Sequence, residues 1–248
     1  RLTILKKDKI YFASDFHLGS PNQKESLIRE KKIISWLNEI EKDAKAIYLL
    51  GDIFDFWYEY KKVVPKGYVR FLAKLADLIE KGTDIHFIVG NHDMWVHDYL
   101  QTEIGLKVHS EGFILQENNQ LIYLAHGDGL GKGDYKYKFL KLIFASKLCK
   151  WLFSRLHPNF AISLGQAWSN KSKRSQQINS NEEKEILVDY CKKQQKISPV
   201  DYYVFGHRHI PMEVKIDKRC SYINLGDWLN HYSYAVLTDQ KLELKKLK

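Results

Sequence analysis

The chain has 248 residues, 44% of them hydrophobic and 28% charged, enough for one compact domain with a sizeable core and incompatible with disorder, collagen-like repeats or a small disulfide scaffold. Its 39 Lys and Arg against 30 Asp and Glu give a formal +9, which points to an anionic partner and leaves nucleic acid, a phosphorylated metabolite and an anionic membrane open. Three scattered cysteines, Cys149, Cys191 and Cys220, exclude a zinc–thiolate site or a disulfide framework and suit a reducing cytoplasm.

Arg1 to Lys9 carries neither an apolar signal core nor a cleavage site, and no uncharged run reaches the roughly 20 residues that span a bilayer. In chain order, short β-branched or aromatic runs then end abruptly in polar clusters. Ile10 to Ser14 meets Asp15-Phe16-His17, and Ala46 to Leu50 meets Gly51-Asp52. Ile85 to Val89 meets Gly90-Asn91-His92-Asp93, Leu121 to Ala125 meets His126-Gly127-Asp128, and Tyr202 to Phe205 meets Gly206-His207-Arg208-His209. Each run has the length of a buried strand. Helix-like stretches lie between them: Glu25 to Glu41, Gly67 to Lys81, and Asn181 to Gln195 behind an Asn cap. The tail adds strands over Tyr222 to Leu225, Ser233 to Thr238 and Leu242 to Leu247.

Strands alternating with helices predict α/β layering, with the polar clusters gathered at the strands' carboxyl ends. The late strands favour a two-sheet sandwich with outer helices over a single doubly wound sheet. One domain spanning 1–248 is expected, interrupted by the stretch Gly129 to Arg174. That stretch holds ten Lys or Arg and the single acid Asp134, so the remainder of the chain balances at 29 of each sign. It is also rich in large apolar residues and reads as a helical insertion beside the site.

Asp, His and Asn side chains delivered together from several strand ends suit a pair of divalent metals, which take imidazole nitrogen and carboxylate oxygen and can share one carboxylate. The candidate donors are Asp15, His17, Asp52, Asn91, His126, His207 and His209. Neighbouring Gly51, Gly90, Gly127 and Gly206 allow sharp turns and close approach. His86, His97, His109 and His157 lie outside the clusters and are expected to be incidental, and His231 falls near the rim.

Asp15-x-His17, Gly51-Asp52-x-x-Asp55, Gly90-Asn91-His92-Asp93, His126 and Gly206-His207-x-His209 together resemble the ordered signature of the calcineurin-like metallophosphoesterases. The resemblance implies a four-layer αββα sandwich in which Asp15, His17, Asp52 and His209 hold one metal and Asp52, Asn91, His126 and His207 hold the other. It also implies in-line attack on phosphorus by a water activated between the ions, and it assigns catalytic roles to Asp52, Asn91 and His92. His92 would contact the phosphate with Asp93 as its orienting partner, and Asp55 would buttress a ligand.

Within that family, the order of His126-Gly127-Asp128, Asp134, Tyr137, the aromatic basic helix, Ser169 to Arg174, and Leu225-Gly226-x-Trp228 is similar to the UDP-2,3-diacylglucosamine pyrophosphohydrolase group. That likeness implies a manganese-dependent hydrolase of lipid A synthesis that attacks the uridylyl phosphorus, releases UMP and 2,3-diacylglucosamine 1-phosphate, and works as a peripheral protein at the cytoplasmic face of the inner membrane. It implies substrate contacts at Asn91, His92, Asp134, Tyr137, Ser172, Lys173 and His207, with Ser169 as the alternative to Ser172. Phe139, Ile143, Phe144, Trp151 and Phe153 are expected to supply apolar wall for the acyl chains, with the insertion forming a lid.

Two features depart from the group. His92 stands where many members carry arginine, and Gln176 and Asn179 do not match the group's usual downstream asparagine and lysine. A different phosphoesterase acting on a phosphomonoester, a cyclic nucleotide or nucleic acid therefore stays open, as does a non-catalytic scaffold. Interleaving of basic with bulky apolar residues favours lipid, so no nucleic-acid partner is expected, and a monomer is.

Overall fold

The computed structural model describes residues 7–132, 135–178, 180–239 and 241–247, with side chains except those of 136, 137, 170–178 and 180–185. Its elements run β1 (Lys9–Ala13), α1 (Gln23–Ile40), β2 (Ala44–Leu50), α2 (Val69–Glu80), β3 (Asp84–Ile88), a short α3 (Tyr99–Thr102), β4 (Lys107–His109), β5 (Phe113–Glu117) and β6 (Gln120–Ala125). Helices α4 (Tyr135–Ala145), α5 (Lys147–Phe153), α6 (Pro158–Ile178) and α7 (Ser180–Ile197) follow. The chain closes with β7 (Tyr202–Phe205), β8 (Met212–Lys215), β9 (Ser221–Asn224), β10 (Ser233–Leu237) and β11 (Leu242–Lys246).

Two sheets form, ordered β11-β10-β1-β2-β3-β4 and β5-β6-β7-β9-β8. Strands β1 to β4 are mutually parallel, as are β6, β7 and β9, while β10, β11, β5 and β8 run antiparallel to their neighbours. Period-two alternation sorts side chains between layers. On β1, Tyr11 and Ala13 face the α1 and α2 side with Trp36, Leu37 and Phe71, whereas Ile10 and Phe12 enter the inter-sheet core with Ile122, Leu124, Val204 and Ile223. A third cluster packs Leu187 and Cys191 of α7 on Tyr203, Phe205 and Tyr222. Three apolar interfaces thus separate four layers, as expected from the alternation of elements.

The helix starts are set locally. Asn22 accepts a hydrogen bond from the backbone N–H of Glu25 at 3.0 Å, which draws α1 two residues upstream of the predicted start. Helix α2 has no cap of its own, because Tyr68 is left-handed at φ 60°; Glu30 of α1 instead accepts from Phe71 N at 3.0 Å.

The insertion folds as α4, α5 and α6, and α6 runs to Ile178, four residues past the end that the charge pattern marked. Three aromatic side chains tie it to the loops after β2 and β3. Trp95 Nε1 donates to Phe144 O at 2.8 Å, Tyr58 to Lys150 O at 3.0 Å and Tyr60 to Leu156 O at 3.3 Å. A Cβ on Gly165 would overlap the Phe56 ring, so glycine lets α6 settle against it. No helix among the described residues is long and apolar enough to cross a membrane.

Candidate metal centre

All five polar clusters meet at the carboxyl ends of the parallel strands. Asp15 and His17 follow β1, Asp52 follows β2, Asn91 and His92 follow β3, His126 follows β6, and His207 and His209 follow β7. Donor atoms of Asp15, His17, Asp52 and His209 lie within 4.8 Å of one another, as do those of Asp52, His126 and His207. Asp52 belongs to both groups. Its Oδ2 is 3.8 Å from His17 Nε2 and 3.4 Å from His126 Nε2. Asn91 Oδ1 completes the second group, 3.1 Å from His126 Nε2 and 3.0 Å from His207 Nδ1.

The backbone is bent to achieve this. Asp15, His17, Asp52, His207 and His209 all have φ between 44° and 67°, a left-handed conformation that costs a non-glycine residue on the order of 1 kcal/mol. Gly206 contributes by what it lacks, because a Cβ there would sit 2.6 Å from Asp15 Oδ2. Its absence lets the loop after β7 approach β1 closely enough for His207 N to donate to the Asp15 carboxylate at 3.0 Å.

Supporting groups fix the rings. His126 Nδ1–H donates to Leu50 O at 2.8 Å, leaving Nε2 to face Asp52. Asp55 Oδ1 lies 3.3 Å behind His17 Nδ1, the expected buttress. Arg29, buried on α1, donates to His17 O at 2.6 Å and to Ser20 O, pinning the first ligand loop.

The expected pairing of His92 with Asp93 is not what forms. His92 Nδ1–H donates to Asp55 O at 3.0 Å, while the Asp93 carboxylate accepts from the backbone N–H groups of Gly90, Asp52, Ile53 and Phe54. Burial and the neighbouring Asp52 push the Asp93 carboxyl up to about 7, and its two acceptor oxygens satisfy backbone N–H groups that would otherwise be buried without partners, which outweighs a bond to a neighbouring ring. Asp93 therefore stitches the Asp52 loop to the Asn91 loop. His92 Nε2 is buried without a hydrogen-bond partner, 3.8 Å from Asp52 Oδ2.

Sequence reasoning missed Asp227, which β9 delivers beside β7. It is 1% exposed, with Oδ2 3.5 Å from His209 Nδ1 and Oδ1 3.1 Å from His231 Nδ1. The signal was present, since Leu225-Gly226-Asp227 repeats the pattern of Leu50-Gly51-Asp52.

Charge is balanced internally. Burial opposes ionisation of Asp15 and Asp52, yet His209 beside the first and His126 beside the second hold both carboxyls below the usual range. Burial likewise opposes charge on His126, but Asp52 pushes it up to about 10, and Asp15 raises His209 in the same way. Burial drops His17 and His207 to about 4, so both present neutral nitrogen. The ring nitrogens of His17 and His209 face each other at 3.1 Å. Buried lone pairs converging on shared carboxylates fit divalent cations, and His126 and His209 would have to give up their protons to serve as ligands.

An apolar cavity of about 310 Å³ adjoins the centre, lined by Asn91 and His92 on one side and by Phe144, Phe153, Leu164 and Trp168 of the insertion on another. Phe56, Trp57, Met94 and Trp95 of the body complete its wall. Of the predicted wall residues, Phe144 and Phe153 line it, whereas Phe139, Ile143 and Trp151 are exposed because their faces of α4 and α5 turn outward. Lys141 reaches back from α4 to pair with Asp128. Asp134 and the side chains of Tyr137, Ser172 and Lys173 lie outside the described residues, as do Asn179 and the side chain of Gln176.

The sequence profile of the calcineurin-like phosphoesterases matches residues 8–211. A protein of Porphyromonas gingivalis named UDP-2,3-diacylglucosamine hydrolase is 37% identical over 97% of this chain and 98% of its own length. Proteins of the same name from Actinobacillus succinogenes and Neisseria gonorrhoeae are 25% and 26% identical, covering 96% and 92% of this chain and 99% and 93% of their own.

Proposed function

The chain belongs to the calcineurin-like phosphoesterase family, and from that premise we propose that it hydrolyses UDP-2,3-diacylglucosamine to UMP and 2,3-diacylglucosamine 1-phosphate. The observation that carries the substrate is the apolar cavity beside Asn91 and His92. An acyl chain fills such a wall, whereas a phosphomonoester or a cyclic nucleotide has no apolar tail to place there. The name and full-length similarity of the Porphyromonas gingivalis relative support the same reading.

In this reading Asp15, His17, Asp52 and His209 hold one divalent ion and Asp52, Asn91, His126 and His207 hold the other; the mixed nitrogen and oxygen set suits manganese, iron or zinc, and manganese is chosen from the family likeness. When bound, the pair of ions lowers the pKa of water and neutralises charge on the phosphoryl oxygens. His92, fixed through Nδ1, directs Nε2 toward the substrate phosphate. Because a phosphate leaving group is already acidic, His92 need supply a hydrogen bond rather than a full proton transfer. Asp134, Tyr137, Ser172 and Lys173 are assigned to the sugar and diphosphate. The reading extends to location at the cytoplasmic face of the inner membrane, supported by exposed Phe139, Leu142, Leu148, Trp151 and Leu152 among the lysines of the insertion.

Parallel assays with UDP-2,3-diacylglucosamine, p-nitrophenyl phosphate and a cyclic nucleotide test the proposal. The glycolipid is expected to be turned over far faster than the other two, with loss of turnover for Asp52→Ala. Cleavage of either of the others with the glycolipid left intact would favour a different phosphoesterase.

A further inference from the structure

Helix α6 separates two cavities. Its Leu164 and Trp168 line the apolar one beside the metal centre. The opposite face of the helix, with Asn159, Ile162, Ser163 and Gln166 at helical spacing, lines a second groove of about 680 Å³, bounded on the body side by the start of α1 and the loop before α2.

The two carboxylates of this groove are already engaged. Glu30, 5% exposed, accepts from Phe71 N, and Asp55, 3% exposed, stands behind His17 Nδ1. The charge left at the open rim is positive. Gly67 at φ 122° and Tyr68 at φ 60° turn the chain between Lys66 and Arg70, and both cations border the groove with their side chains exposed. Further along α2, Lys74 and Lys81 share Glu41 and Asp77, whereas Lys66 and Arg70 have no carboxylate partner among the described residues. They flank the start of α2, which has no side-chain cap from Tyr68 and whose dipole adds to the same positive potential. Asn22 and Gln23 from the body, with Asn159 and Gln166 from α6, supply amides that both donate and accept.

We propose that the groove is a binding site for a small phosphorylated molecule rich in hydroxyls, a sugar phosphate or a nucleotide. Its phosphate pairs with Lys66 and Arg70, and its hydroxyls bond the amides on both walls. Because those walls belong to the body and to α6, the ligand ties the insertion to the body. The proposal is independent of the substrate reading above.

The test titrates glucose 1-phosphate, UMP and inorganic phosphate into Asp52→Ala protein, whose metal centre is disabled, by calorimetry. Hydrogen exchange of the wild type over residues 19–30 and 158–166 locates the binding. At least one ester is expected to bind roughly 10-fold or more tighter than inorganic phosphate and to slow exchange in both segments, and the tighter ester identifies the source. Adding Lys66→Gln with Arg70→Gln should weaken that ester by roughly 10-fold or more. The same pair of changes in the wild type should abolish the slowing. Affinity that is unchanged by the Lys66 and Arg70 substitutions, exchange that no ester slows, or inorganic phosphate bound as tightly as both esters would overturn the proposal.

Discussion

Asp227 tests how far the centre depends on groups that never reach an ion. Lying behind His209 as Asp55 lies behind His17, it orients the imidazole so that Nε2 faces Asp15, 3.2 Å away. Outer carboxylates of this kind are typically worth 10- to 100-fold in metal affinity. Asp227→Asn keeps the shape and removes the charge, so manganese affinity of chelator-treated protein, followed by calorimetry, should fall about 10- to 100-fold. Affinity equal to the wild type would show that Asp227 serves packing alone. The seven expected donors were legible because each ends a strand-like run. Asp227 was not, although it follows the same Leu-Gly-Asp pattern, because β9 read as a tail strand and its place beside β7 is a long-range fact. Asp93 misled for the opposite reason: adjacency to His92 in sequence gave no sight of the backbone donors converging on it from the Asp52 loop.

At the scale of elements, β1, β2, β3, β6 and β7 are buried runs and were readable. Strands β4, β5 and β8 were not, being short or half-exposed edge pieces without a continuous apolar run. One consequence is the pair His86 and His109, read as incidental and in fact joined across β3 and β4 with 2.9 Å between Nδ1 and Nε2. They pack against Tyr48 and Phe113, with Lys107 and Asp84 as the charges nearest His86. Burial, then His109 and Lys107, lowers His86 to about 4, and burial with Lys107 also lowers His109. The unfolded chain, with histidines near 6.5, therefore binds more protons than the folded chain between that pH and about 4. Stability from these groups is fully present above pH 6.5 and is lost as pH falls through that window. His86→Phe should flatten the fall in melting temperature between pH 7 and pH 5. An unchanged slope would place the acid sensitivity elsewhere.

For the whole molecule, the excess of positive charge belongs to Gly129 to Arg174, and the structure folds that segment into helices with one apolar face on the cavity and another open to solvent. The sequence revealed the segment's chemistry but not which of its residues turn inward, because the facing part of the cavity wall comes from Phe56, Trp57, Met94 and Trp95 in distant loops. Exposed apolar side chains among lysines predict binding to anionic vesicles that weakens with salt and is lost for Trp151→Asp with Leu148→Asp, read by co-sedimentation. Equal binding to neutral vesicles would remove the electrostatic part of that account.

Hydrolysis at the uridylyl phosphorus of a diacylated nucleotide sugar is decided by turnover of UDP-2,3-diacylglucosamine in oxygen-18 water, with mass analysis of both products. Attack at the uridylyl phosphorus puts the label in UMP and leaves the lipid monophosphate unlabelled. Label in the lipid monophosphate, or UDP as the uridine product, would contradict it.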